Sequence, residues 1–160
     1  MTTAFLIPQK WFIFANAVQT AHFACKVTKN IFFDMLQTGL TYKSAMVVEP
    51  ATTAEYIGSG DMAVLATPAL AALMENAAMM AVAAELPEGS TTVGTRLELS
   101  HTKASAVGAA VCAEAVLTGI DGRRLTFSVE ARDANGTIGT CTHERVIVDR
   151  QRFLEKVAGK

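Results

Sequence analysis

"ATPALAALMENAAMMAVAAEL", residues 66–86, decides the fold. Alanine, leucine and methionine are strong helix formers, and they fill most of this stretch. Pro68 suits the first turn of a helix, where its missing N–H has no intrahelical partner. Thr67 before it reads as the N-cap. The "PEGS" that follows Leu86 ends the helix. A helix apolar on nearly every side must be buried on most of its surface. One residue stands against that rule. Between Pro68 and Ala84 only Glu75 can ionise, and its neighbours at helical spacing are Ala71, Ala72, Ala78, Met79 and Val82. A carboxylate in such company is costly unless paired or hydrogen-bonded. Glu75 therefore reads either as part of one wet strip beside Asn76 or as a functional group.

Outward from the helix the chain reads as strands. "TYKSAMVVEP" (41–50) alternates and predicts a strand ending at Pro50. "ATTAEYIGSGDMAVLA" (51–66) reads as a loop with a helical turn, leading to a brief strand. After Ser90, "TTVGTRLELSHTKA", "GAAVCAEAVLTGI", "RLTFSVEARD" and "IGTCTHERVIVD" predict four antiparallel strands. "DGRR" and "ANGT" supply hairpin turns, and "RQRFLEKVAGK" reads as a short polar tail. A strand, one long helix and a four-stranded meander predict an α+β layer fold. A single antiparallel sheet covers such a helix only by curling around it, which is the hotdog arrangement. Sheets of this kind leave a face or an edge for a second copy, so fold analogy predicts a homodimer or a higher homo-oligomer.

Composition narrows the class. The chain has 160 residues, 51% hydrophobic and 18% charged, enough for one domain with a real core. A formal net charge of -1 offers no basic field for nucleic acid. Cys25, Cys112 and Cys141 form no CxxC pair and no disulfide framework, which predicts a reducing, cytoplasmic setting. No apolar run reaches the roughly 18 residues of a membrane span. Residues 1–34 stand apart: they hold six of the eight Phe and the only Trp, with no acid before Asp34. They read as an N-terminal extension outside the fold, or as a helix packing an aromatic face on the domain or a partner. Residues 35–160 are left as the domain.

Imidazole chemistry has only His22, His101 and His143 to draw on. His101 lies near the end of an alternating strand. It reads as a half-buried strand histidine bonded to a backbone carbonyl, or as a group that moves protons near neutral pH. His143, in "THERV", invites the same bland reading, with Glu144 and Arg145 beside it as a surface pair. Thr67 is an ordinary cap on one reading. On the other it is a hydroxyl at the positive end of a helix dipole, where an oxyanion is stabilised.

The blocks "ATPALAALME", "VGTRLELSHT" and "THERVIVD" together resemble the fluoroacetyl-CoA thioesterase family of hotdog-fold hydrolases, across residues 42–153. In that family a Thr precedes Pro at the helix start, a Glu follows eight residues on, and a His lies on the next strand after Gly-Thr. Thr67, Glu75, Gly94, Thr95 and His101 match this spacing without insertion. The resemblance implies a catalytic Thr67, Glu75 and His101 that converge at a dimer interface on a small acyl-CoA thioester. It implies that Gly94, followed by Thr95, lines the substrate pocket. For the coenzyme A phosphates it favours Arg145 at the pocket mouth over Arg96, Lys103, Arg123 and Arg124. No cofactor is implied, because coenzyme A enters as part of the substrate. The fluoroacetyl enzyme carries phenylalanines in the segment before its Thr. Here that segment is "YIGSGDMAVLA", with Tyr56 its only aromatic, so fluoroacetyl selectivity does not carry over. The alternative is a non-catalytic hotdog protein that binds an acyl-CoA or a small hydrophobic ligand.

Overall fold

The computed structural model describes residues 36–160, so the expected extension, residues 1–34, lies outside the described residues. In chain order the elements are β1 (Thr41–Val47), a short α1 (Ala54–Ile57), α2 (Thr67–Ala83), β2 (Ser90–His101), β3 (Ala110–Asp121), β4 (Arg124–Asp133), β5 (Gly136–Asp149) and α3 (Arg150–Val157). The strands form one antiparallel sheet in the order β1-β3-β4-β5-β2. The edge strands β1 and β2 flank α2 in sequence, so the helix crosses the sheet from one edge to the other. Five strands at about 4.8 Å spacing would span roughly 19 Å if flat, wider than a helix of about 10–12 Å. Yet α2 packs against all five. The sheet curls around it, as the alternation of the strands and the all-round apolarity of the helix require.

The core is what this geometry buries. Leu70, Leu73, Met74, Ala77, Ala78, Ala81 and Val82 of α2 face inward. They meet Val111, Ala113, Ala115 and Leu117 of β3 and Leu125, Phe127, Val129 and Ala131 of β4. Both strand sets run at a strict period of two, the mark of a sheet with one buried face. The alanines on helix and sheet let the two backbones come close.

Four details differ from the sequence reading. The expected four-stranded meander covers only β3, β4 and β5, because β2 pairs with β5 and not with β3. The brief strand before α2 is absent: Val64 and Leu65 make only isolated bridges, to Ala106 and Thr53. The polar tail is a helix, α3, because the Asp149 carboxylate accepts from the backbone N–H of Arg152 at 2.8 Å and caps it. At α2 the N-cap position falls on Ala66, and no side chain caps the helix. Thr67 is its first helical residue, and the Thr67 hydroxyl is used elsewhere. No helix among the described residues is long and apolar enough to cross a membrane.

Candidate active site

Thr67 Oγ1 lies 3.0 Å from Nδ1 of His101, so the first residue of α2 and the last of β2 share a hydrogen bond. Before Leu70, whose N–H donates to the Ala66 carbonyl, the first turn of α2 has N–H groups only at Thr67 and Ala69, because Pro68 has none. Across the ladder from His101 stands Gly139. A Cβ there would come within 2.8 Å of the Ser100 carbonyl and 3.2 Å of the Leu70 side chain, so only glycine lets the end of β2 sit this close. His101 Nε2 is buried and has no hydrogen-bond partner among the described residues.

A bulge gives His101 its direction. Gly94 and His101 are seven residues apart, and on a regular strand an odd separation puts two side chains on opposite faces. The pairing runs Gly94 to Arg145 and then Arg96 to Glu144, which leaves Thr95 as an extra residue on β2. That one insertion reverses the alternation. Thr92 and Gly94 before it, and Leu97, Leu99 and His101 after it, all face the helix. Arg96, Glu98 and Ser100 are exposed. The Thr95 hydroxyl donates to the Glu144 carbonyl across the bulge at 3.2 Å.

Glu75 belongs to a second cluster. Eight residues of helix separate it from Thr67, roughly 12 Å of axial rise. Among the described residues its ion-pair partner is Arg145, with Oε1 3.6 Å from Nη1, and His143 Nε2 lies 3.5 Å from the same oxygen. The Glu75 side chain is 45% exposed, whereas that of His143 is 1% exposed. Gly94 makes room for it: a Cβ at that position would lie 2.5 Å from Glu75 Oε1 and 3.1 Å from His143 Cε1. His143 Nδ1 lies 2.7 Å from the Arg96 carbonyl, which can only accept, so Nδ1 carries the proton. Its Nε2 then accepts from Arg145 Nη1 at 3.0 Å. Arg145 also donates through Nε to the Thr92 hydroxyl and through Nη2 to the Thr92 carbonyl, both at 2.8 Å. Burial pushes the His143 pKa down; the Arg96 carbonyl opposes this, Arg145 reinforces it and Glu75 opposes it. Burial likewise lowers Arg145, against the pull of Glu75. Burial raises the nearby Cys141 thiol to about 11, which leaves it protonated and a poor nucleophile at neutral pH.

One chain therefore joins two of the three residues expected to act together and holds the third apart. Gly94, expected to line the substrate pocket, lies beside the Glu75 carboxylate. Arg145 does not stand at a pocket mouth. It is buried, because β5 alternates and Arg145 is in phase with Cys141, His143 and Ile147. Nor is it a surface partner of Glu144, which faces the other way and pairs with Arg96 at 3.5 Å and Arg124 at 3.3 Å. Arg96 also pairs with Glu98, and Lys103 donates to the Asn135 carbonyl at 2.8 Å. Thr92 went unmarked in the sequence, and His143 was read there only as a strand histidine. The signal for a role of His143 is the phase of β5, in which His143 and Arg145 share a face with apolar residues. Arg150, read as tail, lines a cleft with Met79, Met80, Leu86 and Thr92, one helical turn beyond Glu75.

A curled five-stranded sheet around one helix, with a hydroxyl–imidazole pair at the helix N-terminus, defines a protein of the hotdog-fold thioesterase class. The chain belongs to the fluoroacetyl-CoA-specific thioesterase family, whose model matches residues 48–151. It is 34% identical over 133 residues to the fluoroacetyl-CoA thioesterase of Streptantibioticus cattleyicolor, covering 79% of this chain and 96% of that protein. A solved structure of a Thr→Ser variant of the fluoroacetyl-CoA thioesterase in complex with acetyl-CoA is similar at a TM-score of 0.74 and 31% identity, covering 78% of this chain and 98% of that one. A hot-dog-like protein from Thermanaerovibrio acidaminovorans shares the fold at a TM-score of 0.72 and 23% identity, over 80% and 95% of the two chains.

Proposed function

We propose that the protein is an acyl-CoA thioesterase in which Thr67, His101 and Glu75 carry the hydrolysis of a small acyl-CoA thioester. The observation that carries this reading is the 3.0 Å contact between Thr67 and His101 at the start of α2. Membership of a thioesterase family supports the reaction class. The thioester carbonyl docks against the free N–H groups of the first turn, which hold the oxyanion formed on attack. His101 takes a proton from the attacking oxygen, either the Thr67 hydroxyl or a water held by it. It returns that proton to the departing thiolate of coenzyme A. Glu75 supplies the negative charge that orients the imidazole and stabilises its cation. Coenzyme A enters only as part of the substrate.

The active unit in this reading is a homodimer. In one chain Glu75 is roughly 12 Å along the helix from Thr67 and half exposed, so a second copy is the natural source of the carboxylate for each Thr67–His101 pair. The edge position of β2, which carries His101, leaves one side of that strand open to a second copy. Residues 35–160 are the catalytic domain in this reading and residues 1–34 an extension to it, in keeping with a family match that starts at residue 48. Free Cys112 and Cys141 fit a cytoplasmic setting.

The test is thiol release from short, branched, aromatic and halogenated acyl-CoAs, with wild type and His101→Ala run in parallel. At least one acyl-CoA should be hydrolysed, and the variant should be slower by ~100-fold or more. Equal rates, or no hydrolysis across the panel, would defeat the proposal, and a co-purifying acyl-CoA would then favour a binding protein.

A further inference from the structure

We propose that His143 is a positioning residue: a neutral, buried imidazole that orients the Arg145 guanidinium, which in turn seats the Glu75 carboxylate in the notch left by the missing side chain of Gly94. This rests on the reading of Glu75 as a carboxylate that acts in hydrolysis.

Glu75 is an acid on an apolar helix, and something must fix its carboxylate. Its own helix offers no polar partner at helical spacing. The facing strand does. His143 Nε2 and Arg145 Nη1 approach the same oxygen, Oε1, at 3.5 and 3.6 Å. Neither contact is a short hydrogen bond. The charge partner of the carboxylate is Arg145; the bare Nε2 of neutral His143 is an acceptor and acts by holding that guanidinium in place. Arg145 is fixed by three bonds, two to Thr92 and one to His143. His143 is fixed by the Arg96 carbonyl, the backbone group directly after the bulge. This bond also sets the tautomer that presents a bare Nε2 to the guanidinium. The opposite tautomer would turn an N–H toward Arg145, donor against donor. The third wall is the backbone of Gly94, where even a methyl group would lie 2.5 Å from Oε1. The same bulge that turns His101 toward Thr67 thus supplies the carbonyl that orients His143. Both halves of the site depend on one irregularity in β2.

The experiment is a double-mutant cycle on the full chain, reading kcat and KM separately for an acyl-CoA that the wild type hydrolyses. His143→Leu should lower kcat by ~10-fold or more, as loss of a supporting partner does, and leave KM within about two-fold. In a Glu75→Ala background the same change should cost nothing further, because there is no carboxylate left to hold. His143→Gln, which offers Arg145 an uncharged acceptor, should recover most of the loss. Gly94→Ala keeps every polar group but fills the notch, so it too should lower kcat, and only while Glu75 is present. This second variant serves if His143→Leu does not fold. Ring 15N chemical shifts should report the Nδ1–H tautomer for His143. An equal fall in kcat with and without Glu75, wild-type kcat in His143→Leu, or an Nε2–H tautomer each overturns the proposal. Wild-type kcat in Glu75→Ala overturns the catalytic reading beneath it as well, which separates the two failures.

Discussion

Thr67 occupies the first position of α2 with its hydroxyl turned to His101 and not to the helix's own N–H groups. The two uses of that hydroxyl predict different costs. A capping hydroxyl is worth about 1 kcal/mol of stability; one committed to His101 is worth little stability and much rate. Thr67→Ala should therefore lower kcat by ~100-fold or more while Tm stays within about 2 °C of wild type. Thr67→Ser should keep most of the activity; a Thr67→Ala variant that loses stability and keeps its rate would restore the cap. His143 yields a pH prediction. Its native pKa is lowered, first by burial, so the unfolded chain takes up a proton at a higher pH than the native one. The stability tied to neutral His143 is complete above the ordinary imidazole pKa of about 6.5 and is lost as pH falls from there toward the depressed native value. The groups that face it are Arg145 on its own strand, Glu75 on α2 and the Arg96 carbonyl on β2. Tm should fall more steeply below about pH 6.5 in wild type than in His143→Gln, and parallel curves would remove His143 from the balance. Glu75 stood out because it breaks the apolar pattern of its helix, whereas Thr67 and His101 each had an ordinary local reading and were marked by the family resemblance. Arg145 breaks a pattern only once the phase of β5 is known, so a reading of neighbours in sequence paired it with Glu144 at the surface, whereas His143 does bond a backbone carbonyl, as a strand histidine was expected to.

At the scale of the element, the bulge at Thr95 does what no single side chain does. It adds one residue, and every position of β2 after it changes face. The sequence reading treated Thr95 as a contact to substrate. The register supports a different emphasis: the count of residues matters more than the hydroxyl. Deleting Thr95 should turn His101 away from Thr67 and cut activity by ~100-fold or more. Thr95→Ala keeps the count and should stay within about three-fold of wild type, losing only one exposed hydrogen bond. If Thr95→Ala is as damaging as the deletion, the side chain is the functional part. The helix, the four strands after it and the two hairpin turns were all legible, because periodicity and turn residues are local properties; the meander holds only for β3, β4 and β5, since β2 lies on the far edge beside β5. The bulge was not, since two residues against one is a relation between strands that β2 alone does not carry. The tail helix α3 had a signal, Asp149 ahead of Phe153, Leu154 and Val157 at helical spacing. It is short, and none of its residues is buried.

At the scale of the whole molecule, the sequence carried the demand for a partner but not its geometry. An all-round apolar helix asks to be covered everywhere, yet Pro68, Ala72, Asn76 and Ala83 stay exposed on α2 in one chain. The distance from Thr67 to Glu75 then makes a sharper demand, because eight residues of straight helix do not fold back on themselves. If each site draws Thr67 and His101 from one copy and Glu75 from the other, two crippled variants should repair one another. Thr67→Ala and Glu75→Ala homodimers should each be nearly inactive. Co-expressed or co-refolded in equal amounts, they form mixed dimers in which the Thr67→Ala chain lends its Glu75 to the intact Thr67–His101 pair of the other. Half of randomly assorted dimers are mixed and each holds one good site of two, so activity should return to about a quarter of wild type. Were all three groups drawn from a single chain, no assortment of these two variants would contain a complete site, and the mixture would stay as inactive as its components. Mixing Thr67→Ala with His101→Ala is the control, since both changes fall in the same half-site and cannot complement.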